Sequence, residues 1–202
     1  MEIFKYGEKE INYLKKKDKK LALAIERIGI IEREVTPDLF TALLHSIISQ
    51  QISNKAAVTV WGRLCQLVGE ITPAALVQAD PSEIQKCGMS VRKVSYIKNI
   101  AQVVESGELN IAEFPSLNDE EIIKKLSALH GIGVWTAEML LIFSMQRPDV
   151  VSWGDLAIRR GICNLYHHQE LTKAQFERYK KRYSPYGSVA SLYLWAISVE
   201  AL

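Results

Sequence analysis

The feature that most constrains this chain is the repeated pairing of helix-start residues with helical periodicity. A side-chain acceptor followed by proline favours a helix that begins there, with proline in its first turn. Apolar residues then recur every three or four positions, as in Leu39, Leu43 and Ile47. The predicted starts are Thr36-Pro37-Asp38, Thr72-Pro73 and Asp80-Pro81, and the capping boxes are Asn118 with Glu121 and Thr172 with Gln175.

Strand patterns are scarce in the same sequence. Only Glu34-Val35 and the stretch from Gly107 to Phe114 are predicted to be extended, and both are short and bounded by turn residues. We therefore predict an all-α protein of about ten helices with no sheet.

Composition sets broad limits on function. The chain has 202 residues, of which 48% are hydrophobic, enough to bury a real core. Its 25 Lys and Arg against 23 Asp and Glu give a net charge of only +2, so binding to an anionic partner must depend on local clusters. No stretch is long and apolar enough for a membrane span, and the spacing of Cys65, Cys87 and Cys163 fits neither disulfides nor a metal site. We expect a cytoplasmic protein that does not bind membranes.

The most informative segment is a glycine-rich turn between two helical patterns. Gly131 and Gly133 flank Ile132, and glycine permits positive φ and close backbone contacts. The amides from Gly133 to Trp135 would open the next helix, where free N–H groups and the helix dipole suit a phosphate. A plain connection between two helices is the alternative for this turn taken alone.

Asp155 follows a glycine and is predicted to begin a helix that carries Arg159 and Arg160. A carboxylate at such a position normally caps the helix, which stabilises a protein by about 0.5 to 2 kcal/mol. The helix N-terminus also favours the ionised form of the carboxylate. A fixed carboxylate can stabilise positive charge that develops on a sugar when an N-glycosidic bond breaks, or activate the attacking water. Capping and catalysis are compatible roles for Asp155.

Together these residues resemble the helix-hairpin-helix GPD superfamily of DNA glycosylases. The residues that carry the resemblance are Leu129, Gly131, Ile132, Gly133, Thr136, Ala137 and, about twenty positions later, Asp155. The resemblance implies a single domain over 1–202, with a helix-hairpin-helix DNA-binding motif and two lobes around a cleft. We expect lobe one to span about 36–117 and lobe two to combine 1–35 with 118–202. It also implies that Asp155 is the catalytic residue.

The hairpin sequence indicates a branch of the superfamily. In its glycosylase/lyases a hairpin lysine forms a Schiff base, and the matching position here is Trp135. The resemblance therefore implies a monofunctional enzyme without lyase activity. The endonuclease III branch of the superfamily also carries four C-terminal cysteines that hold an iron-sulfur cluster. This sequence has no cysteine after Cys163, so we expect no such cluster. Gly-Ile-Gly-x-Trp-Thr-Ala resembles the alkylpurine branch of 3-methyladenine DNA glycosylase II type, in a compact form without the N-terminal β domain.

The same resemblance implies a base pocket formed by Trp135, Trp195, Met139 and Leu156. Alkylated purines carry positive charge, and an electron-rich ring attracts a cationic base that has been flipped out of the duplex. Ordinary buried tryptophans are the alternative for Trp135 and Trp195.

Several residues are expected to contact DNA. The backbone from Gly131 through Ile132, Gly133, Val134 and Trp135 to Thr136 would bind a phosphate. Gln51, or its neighbour Gln50, would fill the hole left by the flipped nucleotide, with Ser53 in the same loop. That loop could equally be a polar turn with Ser53 as a helix cap. Further phosphate contacts are expected from Lys93 and Arg159, and also from Arg92, Lys98 and Arg160; a structural pairing with a carboxylate is the alternative for Arg159.

The resemblance also implies a structural monovalent cation, Na⁺ or K⁺, held by the backbone carbonyls of Ser127, Leu129 and Ile132. His130 is interpreted as a loop histidine rather than a ligand, and no residue cluster indicates a catalytic metal. The expected partner is double-stranded DNA with a damaged base, bound by a monomer that is nucleoid-associated if the source is bacterial. A glycosylase for oxidised or mismatched bases and a non-catalytic DNA-binding module are the alternatives.

Overall fold

The computed structural model describes residues 2–199. These residues form twelve α-helices, one 3₁₀ helix (Ile111–Ser116) and two strands of two residues each, so the all-α prediction is confirmed, with more helices than the ten expected. The α-helices are α1 (Glu8–Lys17), α2 (Lys19–Ile28), α3 (Leu39–Ser49), α4 (Asn54–Val68), α5 (Pro73–Gln78), α6 (Pro81–Lys86), α7 (Val91–Glu105), α8 (Asp119–Ser127), α9 (Val134–Phe143), α10 (Leu156–Tyr166), α11 (Lys173–Tyr183) and α12 (Gly187–Val199).

Predicted helix starts agree with the structure at four of five positions. Thr72, Asp80, Asn118 and Thr172 cap α5, α6, α8 and α11, and the last two form the predicted capping boxes. The prediction at Thr36 is wrong. The carboxylate of Asp38 accepts a hydrogen bond from Thr41 N at 2.8 Å, so α3 begins after Asp38 and the proline lies outside the helix.

The structure confirms one of the two predicted extended segments. Glu34–Val35 is a strand (β2), and it pairs antiparallel with Glu2–Ile3 (β1), which the sequence did not indicate. The prediction for Gly107 to Phe114 is wrong, because the chain turns there and enters the 3₁₀ helix. Asn110 caps this helix through a hydrogen bond from Ala112 N at 3.1 Å, and a local cap of this kind outweighs the extended pattern.

The helices group into two compact units. We call residues 36–140 the hairpin unit, and the residues through Val35 together with those from Leu141 onward the aspartate unit. The break at 35/36 matches the expected lobe boundary, whereas residues 118–140 belong to the hairpin unit rather than to the lobe that was expected. The physical reason is that the turn after α8 packs against α3 and α7, where Gly131 lies against Ile47 and Tyr96.

The core of the hairpin unit runs along α3 and α7. Leu43, Ile47, Ile97 and Ile100 are fully buried, as the three- and four-residue spacing predicts for the inner face of a helix. Burial of such aliphatic side chains contributes about 1.5 to 3 kcal/mol each. The hairpin turn therefore rests on a well-packed support.

In the aspartate unit α12 is the central helix, since residues along most of its length are buried. Its contact with α10 is close, because a Cβ at Gly161 would lie 2.1 Å from the backbone oxygen of Leu194. Only glycine allows this approach. None of the helices between residues 2 and 199 combines the length and apolar character that a bilayer-spanning helix needs.

Candidate active site

The glycine-rich turn joins two helices, as predicted. It follows α8, is closed by a hydrogen bond from Ile132 N to Leu129 O at 3.1 Å, and leads into α9 at Val134. Ile132 is 4% exposed and anchors the turn. Gly133 O accepts the hydrogen bond from Ala137 N at 3.0 Å that starts the helix.

The two glycines of this turn meet different requirements. Gly131 has φ +87°, and a Cβ there would lie 2.4 Å from a ring carbon of Tyr96 and 2.8 Å from Ile47 Cδ1. Gly133 has no atom within 4 Å of the position of a Cβ. Gly131 is therefore needed for packing, while the space at Gly133 is open to the backbone approach of a ligand.

The loop after α3 is tied to the hairpin by Gln50. Its side-chain amide donates to Gly131 O at 2.8 Å, whereas Gln51 is exposed and has φ +58°. Of the two residues expected to fill the hole left by a flipped nucleotide, Gln51 is the exposed one, and Gln50 joins the loop to the hairpin. Ser53 is the N-cap of α4, accepting from Ala56 N at 3.2 Å, so the capping alternative for Ser53 is confirmed.

Lys93 lies beneath this loop. Its ammonium donates to Ile48 O at 2.7 Å and to Gln50 O at 2.6 Å, at the C-terminus of α3. Desolvation by burial lowers the pKa of Lys93. Two of its three N–H donors are thus used within the protein, and a phosphate contact through the third stays a prediction.

The phosphate role expected for Lys98 is wrong. Its ammonium donates to Leu76 O, Val77 O and Ala79 O at 2.9, 2.7 and 2.8 Å, so all three donors serve the end of α5. Arg92 is exposed and lies over the ring of Tyr96, with its guanidinium carbon 5.4 Å from the ring centroid.

Tyr96 is a further residue at the hairpin that the sequence does not indicate. Its ring is stacked on His130 at 6.3 Å between centroids, with His130 exposed as expected of a loop residue, and it also packs on Gly131. Nothing local in the sequence marks Tyr96, because both contacts depend on how α7 packs against the turn.

Asp155 is the N-cap of α10. Its Oδ1 accepts a hydrogen bond from Ile158 N at 2.9 Å, and the residue is 7% exposed. The capping role is confirmed. Leu156, the next residue, is 67% exposed. The result is a carboxylate whose position is fixed by the start of a helix.

Arg159 lies one turn beyond Asp155. Its guanidinium carbon is 4.8 Å from the centroid of the Trp153 ring, and its Nε is buried without a hydrogen bond to any described residue. Arg160 is exposed. Among residues 2–199 no carboxylate pairs with Arg159, whose guanidinium packs on the Trp153 ring instead. A DNA contact stays a prediction for both Arg159 and Arg160.

The predicted pocket residues lie in both units. Trp195 belongs to the aspartate unit, where its ring is 5.4 Å from that of Phe143 and lines a cavity of about 330 Å³ with Ala157. Trp135 is 48% exposed and Met139 is partly buried, both on α9 in the hairpin unit. Phe143 was missed in the sequence, because its contact with Trp195 spans a long stretch of chain.

The carbonyl groups predicted to hold a cation belong to the hairpin turn. Ser127 is the last residue of α8, and Leu129 O accepts one N–H, which leaves a second lone pair on that oxygen. Neutral carbonyl oxygens are the ligands that monovalent cations take from backbone. The chemistry of the Leu129 carbonyl suits such an ion, and a cation at this turn stays a prediction. Within the described residues, His, Cys, Asp and Glu form no group of three or more suited to a metal.

Comparison with known proteins gives consistent matches. The family model "HhH-GPD superfamily base excision DNA repair protein" matches residues 44–185. A DNA-3-methyladenine glycosidase structure from Bacillus halodurans has 37% identity and a TM-score of 0.88, with 98% of this chain and 93% of that chain covered. The Schizosaccharomyces pombe 3-methyladenine DNA glycosylase, solved in complex with abasic DNA, has 31% identity and a TM-score of 0.79, with 93% and 95% covered.

A relative in sequence agrees with the similar structures. DNA-3-methyladenine glycosylase 1 of Schizosaccharomyces pombe is 35% identical over 164 residues, which cover 79% of this chain and 72% of that protein. The family model spans both the hairpin turn and Asp155. The chain therefore belongs to the HhH-GPD superfamily of base excision DNA repair proteins.

Proposed function

We propose that this protein is a monofunctional DNA glycosylase of base excision repair that hydrolyses the N-glycosidic bond of alkylated purines. The observation that carries the proposal is the carboxylate of Asp155, nearly buried and fixed at the start of α10. The similar proteins named as 3-methyladenine glycosylases support the substrate class. Trp135 in place of a hairpin lysine supports hydrolysis by water over a Schiff-base route.

Asp155 supplies the chemistry in this proposal. Breaking the glycosidic bond places positive charge on the deoxyribose, and a preorganised carboxylate stabilises that charge or activates water. An alkylated purine already carries positive charge, so it leaves with little help from an acid. A single carboxylate is therefore sufficient for this substrate class.

Selection of the base would depend on aromatic and apolar side chains. Trp135 and Trp195 provide electron-rich rings that attract a cationic base, and Met139 and Leu156 provide apolar contacts. The exposure of Trp135 and the cavity beside Trp195 support these roles, since both rings retain surface that a ligand can contact.

DNA binding is assigned to the hairpin unit. The amides from Gly133 to Thr136 open α9 and would bind a phosphate of double-stranded DNA, and the open space at Gly133 supports this. Gln51 would fill the hole left by the flipped nucleotide, because it is exposed and Gln50 is engaged with Gly131. We further propose that a monomer carries out the reaction.

The carbonyls of Ser127, Leu129 and Ile132 would hold a Na⁺ or K⁺ ion. Such an ion would neutralise part of the phosphate charge beside the hairpin. No step of the hydrolysis depends on it.

A panel of duplex oligonucleotides, each with one lesion, tests the proposed function. After incubation with the protein, hot alkali cleaves the strand wherever a base has been released. We expect cleavage at 3-methyladenine or 7-methylguanine, and no covalent adduct on borohydride treatment. Cleavage only at oxidised or mismatched bases would contradict the substrate class, and DNA binding without any cleavage would contradict the enzyme assignment.

A further inference from the structure

The segment that leads to Asp155 is attached to the first turn of α12. The hydroxyl of Ser188 donates to Arg147 O at 2.5 Å and accepts from Val150 N at 3.0 Å. The amide of Ser188 donates to Pro148 O at 2.9 Å. Ser188 is fully buried, so one side chain and its own backbone fix three positions of this segment.

Three further contacts hold the same segment, two of them to α12 and one to Ser184 at the end of α11. Asp149 accepts from Gly187 N at 3.0 Å through one carboxylate oxygen and from the hydroxyl of Ser184 through the other. Ser191 donates to Val150 O at 2.9 Å. We call Asp149, Ser184, Gly187, Ser188 and Ser191 the α12 clamp. A Cβ at Gly187 would lie 2.7 Å from Asp149 Oδ1, so the clamp leaves no room for a side chain there.

The clamp is linked to Asp155 by buried backbone. Val150, Val151 and Ser152 are 6%, 1% and 0% exposed, and Asp155 N lies 3.4 Å from Ser152 O. On the other side of Asp155, α10 rests on α12 at Gly161. Protein interiors are close-packed and transmit small shifts, so a displacement at Val150 would move the carboxylate.

We propose that Ser188 is a positioning residue for Asp155. Through the two hydrogen bonds of its hydroxyl, to Arg147 O and from Val150 N, it sets the position of the Asp155 carboxylate relative to the sugar. The inference rests on the proposed function, because it requires Asp155 to act in base release. A small misplacement of a catalytic group can cost about 100-fold in rate.

The test is single-turnover base release by Ser188→Ala, at a temperature well below its unfolding midpoint. We expect the rate to fall about 10- to 100-fold while the affinity for abasic-site DNA stays within about twofold of wild type. A purely structural role would lower the unfolding midpoint and leave the rate of the folded protein unchanged.

Ser144→Ala is the matched control. Ser144 is 4% exposed in the same unit, and its hydroxyl makes no hydrogen bond to a described residue, so its removal should alter neither rate nor affinity. Asp149→Asn is the second variant if Ser188→Ala does not fold. An asparagine keeps the shape but has one acceptor oxygen for two donors, and the same fall in rate is expected.

The outcomes separate the two proposals. If wild type releases the base and Asp155→Asn does not, but the folded clamp variant matches wild type, the positioning role is overturned. The positioning role would also be overturned if a clamp variant lost base-release rate and abasic-site affinity by equal factors. If wild type releases no base from any lesion, the proposed function itself fails.

Discussion

At the scale of single residues, the two hairpin glycines give a sharp contrast. Gly131 has positive φ and lies against Tyr96 and Ile47, whereas Gly133 has open space around it. We predict that Gly131→Ala lowers the free energy of unfolding by about 2 to 5 kcal/mol, from backbone strain and overpacking together. Gly133→Ala should leave it nearly unchanged. Urea denaturation measures both variants, and equal losses would contradict the contrast.

Residue roles could be predicted where the signal is local. The capping role of Asp155 can be predicted from the sequence, because the cap and its amide donor are three positions apart. The sequence does not indicate the roles of Tyr96, Phe143 and Ser188. Their partners are remote in the chain, and the contacts form only when helices pack. The positioning residue is therefore visible only in the folded protein.

At the scale of elements, a lysine caps the C-terminus of the short helix α5. The ammonium of Lys98 donates to three carbonyls that have no partner within the helix. We predict that Lys98→Met lowers the free energy of unfolding by about 1.5 to 3 kcal/mol, since charge-assisted hydrogen bonds are lost. DNA affinity and its salt dependence should not change.

Lys86→Met is the control for that prediction. Lys86 also lies in the last turn of a short helix, but its side chain is 70% exposed and pairs with Glu83 at 2.6 Å. Such surface pairs contribute little, so the unfolding midpoint should match wild type. A reduced salt slope in DNA binding for Lys98→Met would contradict the capping role.

Element boundaries follow the same rule as residue roles. Four caps were predicted correctly because each cap side chain bonds an amide two or three residues away. Thr36 and Asp38 are both possible caps for α3, and the sequence alone does not indicate that Asp38 is the cap. The pairing of β1 with β2 depends on residues far apart in the chain, which no local pattern indicates.

At the scale of the whole molecule, Asp18 links the N-terminal helices of the aspartate unit to its later ones. It caps α2 and accepts hydrogen bonds from Tyr166 and Arg182, each at 2.6 Å. Burial raises the pKa of Asp18, but the hydrogen bonds from Tyr166, Leu21 N and Arg182, together with the charge of Arg182, outweigh it. The pKa lies below its usual value of 3.8.

A depressed carboxylate pKa stabilises the folded state above the unfolded pKa, and the contribution is lost as the pH falls through the folded pKa. We predict that wild type exceeds Asp18→Asn in free energy of unfolding by about 1 to 3 kcal/mol near neutral pH. The difference should shrink steadily below about pH 4. Urea titrations from pH 7 to acid measure it, and a difference independent of pH would contradict the role of the ionised carboxylate.

Fold class and family were accessible from sequence because cap spacing and the hairpin motif are local. The division into units was only partly accessible, since the placement of residues 118–140 depends on packing of the turn on α3 and α7.

In the proposed reaction one fixed carboxylate, that of Asp155, carries out base release. The most direct measurement compares Asp155→Asn with wild type in single-turnover release of an alkylated purine from duplex DNA, alongside binding to abasic-site DNA. We expect Asp155→Asn to release the base at a rate at least about 100-fold lower than wild type, with abasic-site binding retained. Undiminished release by Asp155→Asn would contradict it.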